Sequence, residues 1–168
     1  MEKKLRKHIV APSPEVRTGM PGDAIDIIVE AEVLVSSEAE GFPLDNIVDS
    51  SSGPGSSQWV AGTTGPQTLV FKFDAPQHIS GINYEIEENE TARTQEVSFE
   101  VSSDAGAHFR EVLRQEYNFS PDGSTYEREE LTFDLPGVTQ LRMVIKPDKG
   151  NRECRAKLNS IVFRRKIA

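Results

Sequence analysis

Of cysteine and tryptophan this chain of 168 residues has one each, and of histidine three. A lone Cys154 rules out an internal disulfide framework. Set between Glu153 and Arg155, it reads as an incidental loop thiol. His8 falls in a charged leader, His78 after a turn and His108 beside a turn, and no Cys/His or Ser/His/Asp constellation forms around any of them. Nothing resembles a phosphate-binding loop. Carboxylate pairs such as Glu87–Glu88 and Glu129–Glu130 are too common here to single out an acid/base couple, so an enzyme is not expected. Apolar runs are short: none approaches the ~20 residues of a bilayer-crossing helix. The leader MEKKLRKHIVAPSPEV is basic, and its Ile9-Val10-Ala11 is too short for a secretory signal before Pro12 and Pro14. A cytoplasmic setting follows as an expectation.

Net charge is −8, unevenly spread. Eight of the nineteen basic residues lie in the two ends, among them Lys3, Lys4, Arg6 and Lys7 at the front and Arg164, Arg165 and Lys166 at the back. The middle holds the other eleven against twenty-five acidic residues. An acidic body is repelled by a phosphate backbone, which disfavours nucleic-acid binding.

What the chain does have is period-two alternation. In Glu96–Leu113, Val97, Phe99 and Val101 alternate with polar residues, Ser102-Ser103-Asp104-Ala105-Gly106 interrupts, and Phe109, Val112 and Leu113 resume. Two half-buried strands joined by a tight turn fit this pattern, with Asp bonding its own backbone and Gly supplying positive φ. Similar alternation marks Ile25–Val35 (one long strand or two short ones), Leu69–Phe73, Ile82–Ile86, Leu131–Leu135, Leu141–Ile145 and Ile161–Phe163. Leu44, Ile47 and Val48 suit one helical turn within a long Ser/Gly/Pro connection. No long amphipathic helix and no internal repeat is present. The predicted fold is all-β: a jelly-roll β-sandwich of about eight antiparallel strands. The predicted organisation is a flexible arm over 1–22, one domain over 23–164 and a basic tail over 165–168.

Five stretches, in order, resemble the discoidin or coagulation-factor type C domain family: Asn46-Ile47-Val48-Asp49 followed by a Ser/Gly loop and Trp59; Leu69–Phe73 with Ile79-Ser80-Gly81-Ile82; the hairpin Val97–Val112; Leu141-Arg142-Met143-Val144-Ile145; and the closing Leu158–Phe163. The resemblance implies a galactose-binding-domain-like sandwich. It leaves function open, because the superfamily includes sugar-binding modules, lipid-binding domains and protein-interaction subunits. The stretch Pro43-Leu44-Asp45-Asn46-Ile47-Val48-Asp49 resembles most the intraflagellar-type sequences, which are protein-interaction modules.

The resemblance also implies sites. A structural calcium in the loop before Trp59 would use Asp49 as carboxylate and Ser57 as hydroxyl, although the loop is long and Asn159 or Ser160 stands where an acidic ligand belongs. Without calcium, Asp49 would cap the local turn. No other cofactor is required. Trp59 is expected in the core. Ligand is expected at the end of the sandwich opposite the hairpin. There Phe42, Phe119 or Tyr126 would offer an aromatic face, and Asn89, Arg93, Asn118 and Arg152 polar contacts. Membrane insertion is disfavoured by the surrounding Glu38, Glu40, Glu88 and Glu90. The leading expectation is carbohydrate recognition; the alternative is a protein partner met by the same mixed-charge tip, where Glu40, Arg93 and Arg152 would set specificity.

Overall fold

The computed structural model describes Leu5, Arg6 and residues 22–167. A four-residue helix, α1 (Ile27–Glu30), leads into β1 (Ala31–Val35). A 3-10 helix over Leu44–Val48 interrupts the long connection that ends at β2 (Trp59–Val60). There follow β3 (Gln67–Glu87), β4 (Arg93–Ser102), β5 (Arg110–Phe119), β6 (Tyr126–Lys146), β7 (Lys157–Leu158) and β8 (Ser160–Arg165). The all-β sandwich is as expected, with every strand pair antiparallel.

Two strands build both layers. The first part of β3 pairs with β1 and the last part of β6; its second part pairs with the first part of β6 and with β8. The register slips between Lys72 and Gly81, where Asp74-Ala75-Pro76 interrupts the alternation, and opposite it β6 carries Pro136 and Gly137, the latter at φ 66°. Here the sheet turns a corner and folds over itself. One layer runs β1-β3-β6-β4-β5 and the other β8-β3-β6. Aromatic side chains meet between them: Phe71 against Phe163 at 4.8 Å, Tyr84 against Phe99 at 5.4 Å and against Tyr117 at 6.3 Å. Trp59 is wholly buried, as expected, its indole N–H donating to the Ser37 carbonyl at 3.0 Å.

Two expectations need correction. Ile25–Val35 is neither one strand nor two: Asp26 caps α1 by accepting from the Ile28 amide, while Glu30 accepts from the Asp26 amide at 2.9 Å. That reciprocal cap turns the chain before β1 begins. Nor is the leading arm free throughout. Leu5 is fully buried, its amide donates to Asp45 at 2.7 Å, and the Arg6 carbonyl accepts from Val33 of β1 at 2.8 Å. The rest of the expected arm up to residue 21 lies outside the described residues.

The β4–β5 hairpin forms as read, with Val97 opposite Gln115 and Phe99 opposite Leu113. Its turn sits at the corner end, where the Ala105 amide donates to Thr139 at 3.0 Å. The connections β3–β4, β5–β6 and β6–β7 therefore gather at the other end.

Candidate functional site

Those three connections are stitched together by polar contacts. Glu88 N–H donates to the Thr125 carbonyl at 2.8 Å and Lys149 N–H to the Thr94 carbonyl at 2.7 Å. Asp148 does the most: its carboxylate accepts from the Thr94 amide at 3.2 Å and the Arg152 amide at 2.9 Å. The Arg152 amide above all, then that of Thr94, holds its carboxyl below the usual range. The turn is local, since Asn151 N–H also reaches the Asp148 carbonyl at 3.1 Å and Asn151 sits at φ 60°.

Between these loops lies a shallow depression of about 230 Å³, lined by Arg93, Thr94, Asn118, Phe119, Asp148 and Arg152 beside Ala92. Four of the expected ligand residues thus meet in one place: Arg93, Asn118, Phe119 and Arg152. Their roles are not those expected. Phe119 is only 3% exposed, so its ring forms floor and offers no stacking face. The Arg93 side chain is fully buried, ion-paired with Glu88 at 3.1 Å and donating to the Arg155 carbonyl at 2.8 Å. It braces the site from beneath. Glu88 in turn holds Lys157 at 2.9 Å. The groups that reach the surface are Asn118, bonded to the Thr94 hydroxyl at 2.7 Å, and Arg152, whose guanidinium donates to the Ala92 carbonyl at 2.6 Å.

The other four expected residues do not line the depression. Asn89 is exposed in the β3–β4 connection. Glu40 and Phe42 belong to the tight turn in which Phe42 N–H donates to Ala39, and Phe42 is 46% exposed. Tyr126 is half-buried and bonds to Glu85; loss of solvation, then that bond, pushes its hydroxyl up to about 12. Thr94 and Asp148 were missed as individual residues. A turn signal was there to find, because Asp148 follows Pro147 and precedes Gly150.

Whether the Asp49 loop suits calcium depends on its donor set. Asp49 accepts from the Ser51 amide at 2.9 Å, the Ser51 hydroxyl at 2.6 Å and the Ser57 hydroxyl. Beyond it, Gly53 N–H donates to Glu85 at 2.7 Å, Gly55 N–H to Glu87 at 3.0 Å, and Asn159 turns its amide N–H₂ toward Ser56 at 3.1 Å. Calcium takes about six to eight oxygens. Here both Asp49 oxygens accept protein donors, Glu85 and Glu87 are held on the loop's backbone amides, and the side chain on the closing strand presents a donor. The residues present do not fit the ion; Asp49 and Ser57 close a turn instead.

The F5/8 type C domain model matches residues 32–160. Comparison with curated proteins finds no match. Among solved structures, a CBM32-3 module from a family 31 glycoside hydrolase of Clostridium perfringens shares 19% identity at a TM-score of 0.63, covering 86% of this chain and 96% of that one. The CBM32 of AlyQ, in complex with 4,5-unsaturated mannuronic acid, shares 18% at 0.60, with 83% and 96% covered. A pectin-binding carbohydrate-binding module shares 20% at 0.57, with 81% and 91% covered. At such identities the likeness is one of fold.

Proposed function

Because the chain belongs to the F5/8 type C domain family, we propose that it is a non-catalytic carbohydrate-binding module that holds its sugar in the depression at the loop end of the sandwich. The supporting observation is the meeting of Asn118, at the end of β5, and Arg152, from the β6–β7 connection, over a floor of Phe119 and Arg93. Hydroxyl-rich ligands need such fixed donors and acceptors in a concave wall. The similar modules from solved structures, which include a pectin binder and one holding an unsaturated mannuronic acid, support the same class.

A glycan array followed by calorimetric titration tests the reading. A hit is expected, and Arg152→Ala or Asn118→Ala should weaken it about tenfold or more, the loss of one or two hydrogen bonds to a charged or amide group. Silence across the array, with a protein recovered by pull-down, would overturn it. One observation favours the second reading, an interaction subunit: Phe42 projects beside Glu40, outside the depression. A partner lost on Phe42→Ala but kept on Asn118→Ala would select it.

A further inference from the structure

A second cleft adjoins the first. It also measures about 230 Å³ and lies between the turn at Thr64-Gly65-Pro66 and the end of β6, with Lys146, Asp148, Asn151 and Arg152 in its wall. Asp148 and Arg152 line both hollows, so the β6–β7 connection forms the ridge between them. The ridge is firmly held: Gly65 N–H donates to the Cys154 carbonyl at 3.1 Å, and Asp148 clamps the turn to β4. Charge distinguishes this ridge from its surroundings. Nearby cations are committed to carboxylates, Arg93 and Lys157 to Glu88 and Lys149 to Glu116. Among the described residues neither Lys146 nor Arg152 is in an ion pair. The Asp148 oxygens are turned inward onto backbone amides, which leaves Glu153 as the cleft's outward carboxylate.

Resting on the carbohydrate reading above, we propose that this cleft is a second subsite, and that the site takes a linear acidic oligosaccharide of at least two units laid across Arg152, with a carboxylate of the ligand facing Lys146. Two hollows of equal size on either side of one cation suit successive sugar units, and cations outside any ion pair, Lys146 and Arg152, beside an otherwise acidic body suit uronic acids over neutral sugars.

Titration of the full chain with D-galacturonic acid, its linear dimer and trimer, and galactose with its own oligomers tests this. The acidic trimer should bind at least about tenfold tighter than the acidic monomer, and tighter than the neutral trimer. Lys146→Ala, and Asn151→Gly, which keeps the left-handed backbone, should bring the trimer-to-monomer ratio toward one. Arg128→Ala, on the outer face of the other layer, should leave the ratio as it is. Equal affinity for acidic monomer and trimer would overturn the second subsite while the first stands. A preference for neutral oligomers would overturn the acidic ligand. No binding of any sugar by protein with a native circular dichroism spectrum would overturn the carbohydrate reading itself.

Discussion

Glu88 and Arg93 show how far a side chain's neighbours can change its meaning. In the sequence both belong to a mixed-charge tip and read as solvent-facing. In the fold Glu88 is 2% exposed, wedged between the guanidinium of Arg93 and the ammonium of Lys157. Arg93 is also fixed by the carbonyl of Arg155 and the side-chain oxygen of Gln95. A buried pair of this kind adds little net stability relative to an apolar replacement, yet losing one partner leaves a stranded charge. Glu88→Ala is therefore expected to cost about 3–5 kcal/mol in urea denaturation, while Glu88→Leu combined with Arg93→Met should recover most of that loss. A cost for Glu88→Ala below ~1 kcal/mol, the level of a surface pair, would show that the triad is solvated. Arg93 and Arg155 are far apart along the chain, so local pattern carried no sign of their contact; composition alone puts Arg and Glu on the surface.

Elements whose determinants are local were legible, and those with remote determinants were not. The β4–β5 hairpin follows from alternation and from a Ser102-Asp104-Gly106 turn closed by bonds within a few residues, Gly106 N–H to the Ser102 hydroxyl at 2.9 Å and His108 N–H to Asp104 at 2.9 Å among them, with Thr139 adding a contact from β6. The turn at Leu44–Val48 follows likewise from three apolar residues that end up buried. By contrast α1 is hidden inside apolar alternation, because the decisive pair, Asp26 and Glu30, fits the polar positions of a strand as well as a cap. The Asp49 loop is intermediate. Its own Ser51 and Ser57 were visible, but Glu85, Glu87 and Asn159, which pin Gly53, Gly55 and Ser56, come from β3 and the closing strand. Those remote donors and acceptors pin the loop from outside it. Millimolar calcium against chelator should accordingly move the thermal midpoint by less than about 1 °C, whereas saturating binding at a hundred times Kd would add about 2.7 kcal/mol. Asp49→Ala should lower the midpoint by several degrees through roughly 1–2 kcal/mol of lost capping. A clear rise with calcium would mean that the Ser51 and Ser57 hydroxyls leave Asp49 to make room for the ion.

At the scale of the whole molecule the sandwich depends on two strands that serve both layers, so anything that loosens the outer edges of either layer is felt across the core. The edge at β1 is covered by the chain's own beginning. Arg6 extends its carbonyl to Val33, its guanidinium to the Ile28 carbonyl at 3.1 Å and to Asp74 at 2.6 Å, while Leu5 fills the hydrophobic cluster with Ile28, Leu44 and Val33. A free edge strand invites pairing with another chain, and covering it removes that hazard. The two residues contribute unequally. The Arg6–Asp74 pair is open to solvent and should be worth at most about 1 kcal/mol, so Asp74→Ala is expected to be mild. Leu5→Ala removes buried methyl groups from a closed site and should cost about 2–5 kcal/mol. Because it also slackens the segment that covers Val33, it should increase self-association on size-exclusion chromatography at high concentration. If Leu5→Ala unfolds at the same urea concentration as the parent chain and stays the same size, then the leading segment does not hold the edge, and β1 must be protected by its short length and by Glu32 alone.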